Sequence, residues 1–376
     1  MVDFRVNAWK RKRITLKRKD MKHLFYTLSI LVLIFLINSC GVFQPAWKEI
    51  QLSEEELKTI ELLKIDDEQI RKLEAKPIYK FTEKELDLYL GYLQFIEPDL
   101  RQRIQHLGRK CIGQPYEIYL MGEYPVEIFD PQPLISLQKS DCVVFSEHIY
   151  AMALAFDWKS FFGMLQRIRY KNGIISLVTR NHYTELDWNR NNSWLLEDIT
   201  EQIGGDYSVT VNSFYDKSNF FKKWGLGRQL PKDTLEWAYI PHQHVEKVIG
   251  ELKPGDFVNI VRGNDEGKWV GHVGLITKGK NGDVNFLHSA RPEVREQPLL
   301  EYMQESLELN EKRKEKNKKI AEHNSKIQAG QSVEKLKTPL PYFYGFKFLK
   351  LRQDPLWELI KIDGMRAPNV TIPSIY

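Results

Sequence analysis

A chain of 376 residues with 42% hydrophobic residues has material for one large domain or two ordinary ones, each with a full core. The formal charge of +5 is uneven: residues 1–39 hold nine Lys or Arg against two Asp, and the remaining 46 basic and 48 acidic residues leave −2. Once that leader is set aside no basic stripe survives, so the composition gives no support to a nucleic-acid partner.

The leader comes first in chain order. Residues 24–37, LFYTLSILVLIFLI, form an apolar run too short for a comfortable membrane span. RKRITLKRKDMK precedes it and NSCG follows, the layout of an export signal over residues 1–39, with Met21 as an alternative start. LINSCG resembles a bacterial lipobox, in which Cys40 becomes the lipidated first residue of the mature chain. The competing reading is an anchor helix that stays attached, and both readings take the bulk of the chain out of the cytoplasm. Cys111 and Cys142 remain, and nothing in the sequence fixes whether they pair.

Residues 40–80 read as a lipid-anchored linker and helix, a stalk or a packed N-terminal helix, with Ser53 and Glu56 spaced as a capping box. A second box, Thr82 with Glu85, opens the main domain, expected over residues 81–360. It predicts a helix, a break at Pro98, and a second helix ending near Gly113 with Cys111 buried. Strand-like alternation follows. From Val143 apolar residues recur at helical spacing, which puts Cys142 at the first turn of a buried helix. Residues 253–290 hold three runs rich in Val, Ile, Phe and Trp bounded by Gly, Asn and Asp, the pattern of an antiparallel meander. Residues 301–337 are charged with few apolar anchors and read as a solvated helix or a disordered insertion. YFYGFKFLKLR returns as a closing strand, and 361–376 form a C-terminal tail.

Three residues then combine chemically: Cys142 at a helix start, His272 within a strand, and His288 near the end of the next. A helix N-terminus and an imidazole both lower a thiol pKa from its usual value of about 8.5. His272 would take the thiol proton and a third polar group would fix its tautomer. Singly, a buried Cys or a strand His is more often structural; the joint pattern carries the reading. By contrast, PHQH at 241–244 puts both His in an exposed first turn with no Cys or acidic partner at matching spacing, so no metal is expected.

SDCVVFSEHIYAMAL, SLVTRNHYTELDW, KPGDFVNI, GHVGLIT and FLHSA together resemble the bacterial N-acetylmuramoyl-L-alanine amidase-like family, a branch of the NlpC-type papain-fold cell-wall hydrolases. The resemblance runs from about residue 113 to 351, excluding the charged insertion. It implies an α+β, papain-like fold: a catalytic Cys at a helix N-terminus packed on a small antiparallel sheet, here with extra N-terminal helices. It also implies cofactor-free hydrolysis of an amide in peptidoglycan or muropeptides, with Cys142 as nucleophile, His272 as base and His288 as orienting residue. Arg180, His182, Tyr183, Asp187, Trp188 and Asn192 combine charged donors with aromatic faces, materials for a groove that holds a sugar-peptide strand. Their competing reading is a packed polar loop, and the resemblance tips them towards a substrate wall. One departure stands beside Cys142, where the family commonly has a hydroxyl-bearing residue and this chain has Val143. The expectation is therefore a lipid-anchored envelope amidase. The alternatives are a stem-peptide endopeptidase, a catalytically silent lipoprotein that binds peptidoglycan or a protein, and a structural lipoprotein whose insertion mediates assembly.

Overall fold

The computed structural model describes residues 50–226, 232–264, 267–329 and 334–363; the leader, Cys40 and the tail from residue 364 lie outside the described residues. The chain divides into two units, Met1–Gln51 and Leu52–Tyr376, and the second holds every helix and strand described.

Helices α1 (Glu54–Leu63), α2 (Asp67–Ala75), α3 (Glu83–Ile96) and α4 (Leu100–Arg109) open it. Both expected capping boxes form: the Ser53 and Thr82 hydroxyls accept from the backbone of Glu56 and Glu85, whose carboxylates accept in return. Ile60, Ile70 and Leu73 are buried in one cluster with Leu86, Tyr89 and Leu90, so α1 and α2 are a packed layer and not a stalk. Helices α5 (Cys142–Leu154) and α6 (Trp158–Arg169) join the same cluster, and α5 is buried at every residue from Val144 to Leu154. A helix apolar on all sides must have partners on all sides. Here they are the other helices and a sheet.

The strands are β1 (Leu196–Asp198), β2 (Val209–Tyr215), β3 (Asp233–Pro241), β4 (Phe257–Gly263), β5 (Lys268–Lys278), β6 (Val284–Ser289), β7 (Val294–Pro298) and β8 (Tyr342–Leu351). They form one sheet in the order β2-β3-β8-β4-β5-β6-β7, with β1 also on β8, and every described pairing is antiparallel. Period-2 alternation sorts its side chains. Phe257, Val273, Leu275, Leu287, Leu349 and Leu351 face the helical cluster. Val258, Ile260, Ile276, Phe286, Phe346 and Phe348 form a second cluster on the other face, closed by Leu299 and Tyr302.

Those last two residues begin α7 (Leu299–Gln328), a helix of 30 residues that occupies most of the charged insertion. Past its first turns it is tied to the extended chain that leads into β8. Asn310, Asn317 and Asn324 each donate from the side-chain amide to the backbone carbonyl, and accept through the side-chain oxygen from the backbone N–H, of Phe343, Leu340 and Lys337 respectively, at 2.8 to 2.9 Å. Seven helical residues rise about 10.5 Å and three extended residues span about 10 Å, so the two repeats stay in step. A final helix, α8, covers Pro355–Asp363. Among the described residues no helix is long and apolar enough to cross a membrane.

Strands β5 and β6 meet across Gly274, where a Cβ would lie 2.6 Å from Phe286 Cε2, 2.7 Å from the Leu287 carbonyl oxygen and 2.8 Å from His288 Cβ. One of these neighbours is backbone and another is the stem of a fully buried side chain, so the strand itself must shift to admit a methyl group. Gly274→Ala is expected to lower stability by about 1–3 kcal/mol, read as an earlier midpoint in urea unfolding. An unchanged midpoint would contradict this packing.

Candidate active site

Cys142 is the first residue of α5, and Asp141 is its N-cap. The Asp141 carboxylate accepts from the N–H groups of Val143 and Val144 at 3.0 and 2.9 Å, which fixes the first turn. The residue before it is anchored to the sheet. Ser289 Oγ, at the end of β6, donates to the Ser140 carbonyl at 2.9 Å, and Ser140 Oγ donates to Gln114 Oε1 at 2.7 Å. Ser140 and Ser289 are both buried, so this link holds the start of the Cys helix against the strand that carries His288.

The β5–β6 ladder runs from Lys278 opposite Val284 to Leu275 opposite Leu287, and the pairs described end there. Beyond it, the Val273 N–H reaches the Cys142 sulfur, and with the N–H groups of Val143 and Cys142 it favours the thiolate. The sulfur therefore meets β5 one residue after His272. The His272 ring itself points to the second cluster: it lies 5.9 Å from the Phe286 ring, 4.9 Å from that of His288 and 6.3 Å from that of Tyr302, nearly parallel to the last. Among the described residues no hydrogen bond joins the sulfur to that ring. His272 Nε2 and His288 Nδ1 are 2.7 Å apart. The spacing of 16 that left their pairing open in the sequence thus resolves into a direct contact, because both residues share the parity of Ile276 and Phe286.

The thiol and the two imidazoles are neutral at rest. Burial pushes the Cys142 thiol up to about 12, and the adjacent Asp141 carboxylate adds to the rise. The expected thiolate preference at a helix start is thus outweighed: the N-cap carboxylate offsets the positive end of the helix, and burial does the rest. Burial holds His272 well below its usual 6.5, helped by His288, Arg262 and Arg295, and holds His288 down to about 3, with Arg295 contributing. Both imidazoles are uncharged across the physiological range.

The six residues expected to form a substrate wall divide. Trp188 and Asn192 are interior, at 1% and 0% exposure. Trp188 Nε1 donates to Glu147 Oε1 at 3.0 Å, and Asn192 Nδ2 donates to the Ile168 carbonyl at 2.9 Å. That corrects the expectation for these two: Trp188 ends a buried helical turn, Thr184–Trp188, wound as a π-helix, and Asn192 caps the short turn that follows, Asn189–Asn191. Arg180 turns inward to Glu123 and Asp130 at 3.2 and 3.0 Å. His182 donates to the Leu177 carbonyl at 2.7 Å and packs on Phe220 and Phe221. Tyr183 and Asp187 are half-buried; Tyr183 lies edge-on to Tyr215, and Asp187 pairs with Lys217. In PHQH, His242 lies against Phe343 and His244 stacks on Tyr207.

Sequence reading missed three contributors. Ser289 was visible only as part of HSA, with no sign that it would hold Ser140. Glu147, buried in α5, pairs with Arg169 at 3.1 Å beneath the helix start. Tyr302 was lost in the charged insertion, although the apolar residues of LLEYM, 299–303, were the available signal. Its ring covers His272 and meets His288 edge-on at 5.3 Å.

A mixed α+β protein with an antiparallel sheet, N-terminal helices and a Cys-headed helix beside a strand histidine pair is the class these features define. The family model described as N-acetylmuramoyl-L-alanine amidase-like matches residues 106–308, more than half of the chain, and the chain belongs to that family. A crystal structure of a Legionella pneumophila protein shares its fold, with a TM-score of 0.56 at 19% identity over 72% of this chain and 95% of that one. An N-acetylmuramoyl-L-alanine amidase from Bacteroides uniformis is similar at a TM-score of 0.47 and 19% identity, over 67% of this chain and 99% of that one. No curated protein matches the sequence.

A thiol raised to about 12 should react slowly with iodoacetamide at pH 7 and about tenfold faster for each pH unit up to pH 9. The measurement is the Cys142-dependent alkylation rate, taken as the difference from Cys142→Ala because Cys111 is a second free thiol. A plateau between pH 5 and 8 would reveal a preformed thiolate and overturn the neutral resting state.

Proposed function

We propose that the protein is a cysteine amidohydrolase of the bacterial cell envelope that cuts an amide in peptidoglycan or its fragments. In this reading Cys142 is the nucleophile, His272 the general base and His288 the orienting residue, and the fold is papain-like, of the NlpC type. The export signal and Cys40 would anchor it by lipid. Family membership supports the reaction class. The observation that carries the assignment of residues is the bond between His272 Nε2 and His288 Nδ1, set one residue before the N–H that meets the Cys142 sulfur.

That bond dictates tautomers. For Nδ1 of His272 to receive a proton it must hold a free lone pair, so the ring proton sits on Nε2 and is donated to Nδ1 of His288. His288 is then protonated on its own Nε2. As the thiol attacks the scissile carbonyl, its proton passes to His272 Nδ1, and the imidazolium strengthens its bond to His288. His272 gives that proton to the departing amine, leaving a thioester on Cys142. Water then loses a proton to His272 as it attacks the thioester carbonyl, and the proton returns to the thiol as the acid leaves. The Cys142 N–H, at the helix start, is a donor for the oxyanion of each tetrahedral step. Catalytic hydrogen bonds are often long before substrate binds, which is consistent with a sulfur resting on Val273 N–H.

A second reading has one observation on its side. The same resting contact, with the sulfur on a backbone N–H and not on the ring, fits a protein that binds peptidoglycan without cutting it.

Digestion of purified peptidoglycan decides between them. Wild type is expected to release fragments that Cys142→Ala does not, and His288→Ala to lower the rate by about 10²- to 10⁴-fold. The fragment masses name the bond, a lactyl-amide or one within the stem peptide. Identical products from wild type and Cys142→Ala would sink the enzyme reading and leave the binding one.

A further inference from the structure

We propose that this site selects a ligand bearing a free carboxylate, and that Arg262 is the residue that recognises it. The inference rests on the peptidoglycan reading above and names the chemistry that reading leaves open.

Several arginines drawn into the body of the molecule have a carboxylate: Arg101 meets Asp256 at 2.8 Å, Arg109 meets Glu296 at 2.7 Å, Arg169 meets Glu147 at 3.1 Å and Arg180 meets Asp130 at 3.0 Å, while Arg103 is held by the Ala153 and Glu97 carbonyls. Three arginines around the histidine pair do not, among the described residues. Arg295 donates to Gln297 Oε1 at 3.0 Å and to the Arg291 carbonyl at 3.1 Å, and Arg313 donates to the Pro341 carbonyl. The Arg262 Nε is buried without a hydrogen-bond partner.

The position of Arg262 is set by the strand beside it. Its side chain lies over Gly271, the residue before His272, where a Cβ would fall 2.7 Å from Arg262 Cδ. That glycine is the bulge in the β4–β5 ladder, since Ile260 faces His272 while Val261 faces Val270. The guanidinium thus stands beside the histidine pair, on the second-cluster face of β5. Burial first, with the charge of Arg262 adding, lowers Arg313, and burial and His288, with Arg262 and Arg295 adding, keep His272 uncharged. A carboxylate arriving here would relieve this unbalanced field and would give the Arg262 fork, including its free Nε, a planar partner.

The test uses the full chain carrying Cys142→Ala, so that binding is read without turnover. Its probes are N-acetylmuramoyl-L-alanyl-D-glutamate and the same compound with both glutamate carboxylates amidated, which keeps the shape but replaces each charged acceptor pair by one acceptor and an N–H donor. Calorimetry is expected to show at least about tenfold tighter binding of the acid. Adding Arg262→Gln should abolish that preference while leaving affinity for the diamide within about twofold. Arg262→Lys, which keeps the charge should the Gln variant not fold, is expected to retain only part of it. Equal affinity for the two probes, no binding of either, or a preference that survives Arg262→Gln would each overturn the proposal. A peptidoglycan digest lacking Cys142-dependent products, with acid preference intact, would instead remove the hydrolytic reading and leave the carboxylate site standing.

Discussion

The site depends on how β6 lies against β5. Gly274 lets the side chains of Phe286 and His288 fold across the strand, and every second residue of β6 then has a different task. Phe286 and His288 face the second cluster, where His288 meets His272. Leu287 and Ser289 face the helices. Leu287 fills the space over Gly108, where a Cβ would come within 2.6 Å of its Cδ2, and Ser289 secures the backbone two residues before Cys142. Alternation along a single strand of six residues thus couples the histidine pair to the position of the thiol. A shift of β6 by one residue would exchange the two faces and lose both connections.

A second constraint is electrostatic and opposes the first impression given by a Cys at a helix start. The helix end favours an anion there, yet the N-cap that makes the helix start is itself a carboxylate, and Arg169 behind it is already paired with Glu147. Positive charge is instead gathered on the far side of β5, at Arg262, Arg295 and Arg313, next to imidazoles kept neutral by burial. The thiol and both imidazoles therefore rest uncharged. Such a site does not carry a standing thiolate exposed to oxidants or alkylators.

The parts of this arrangement legible in the sequence were those set by local rules. Capping boxes, the buried helix after Cys142 and the β-rich meander follow from spacing and composition, and the structure forms each of them. Proximity across the chain was not legible. Nothing local distinguishes Trp188, which is interior, from Tyr183 five residues earlier, which is half-buried; the difference arises because a π-helical turn directs Trp188 towards Glu147. The Ser140–Ser289 link joins residues 149 apart and has no periodic signature. The burial that raises the thiol is equally a property of packing, whereas the helix start that would lower it can be read from the sequence.

The charged insertion makes the same point in the other direction. Its composition is that of a solvated segment, and beyond the first turns α7 is indeed largely exposed. What composition hides is the stripe of Asn310, Asn317 and Asn324, which satisfies both backbone groups at every third residue of the chain entering β8. An amide that both donates and accepts is the side chain suited to this, because a strand edge presents one donor and one acceptor together. Seven residues before Asn310 the same stripe reaches Met303, packed on the second cluster, with Tyr302 beside it. Three doubly bonded amides therefore fix the rotation of the helix about its axis. That rotation decides whether Tyr302 lies over His272 and His288 or swings to solvent. The solvated arm and the histidine pair are in this way one mechanical unit, and the ladder limits the freedom of the aromatic ring that closes the site from the side opposite the Cys helix.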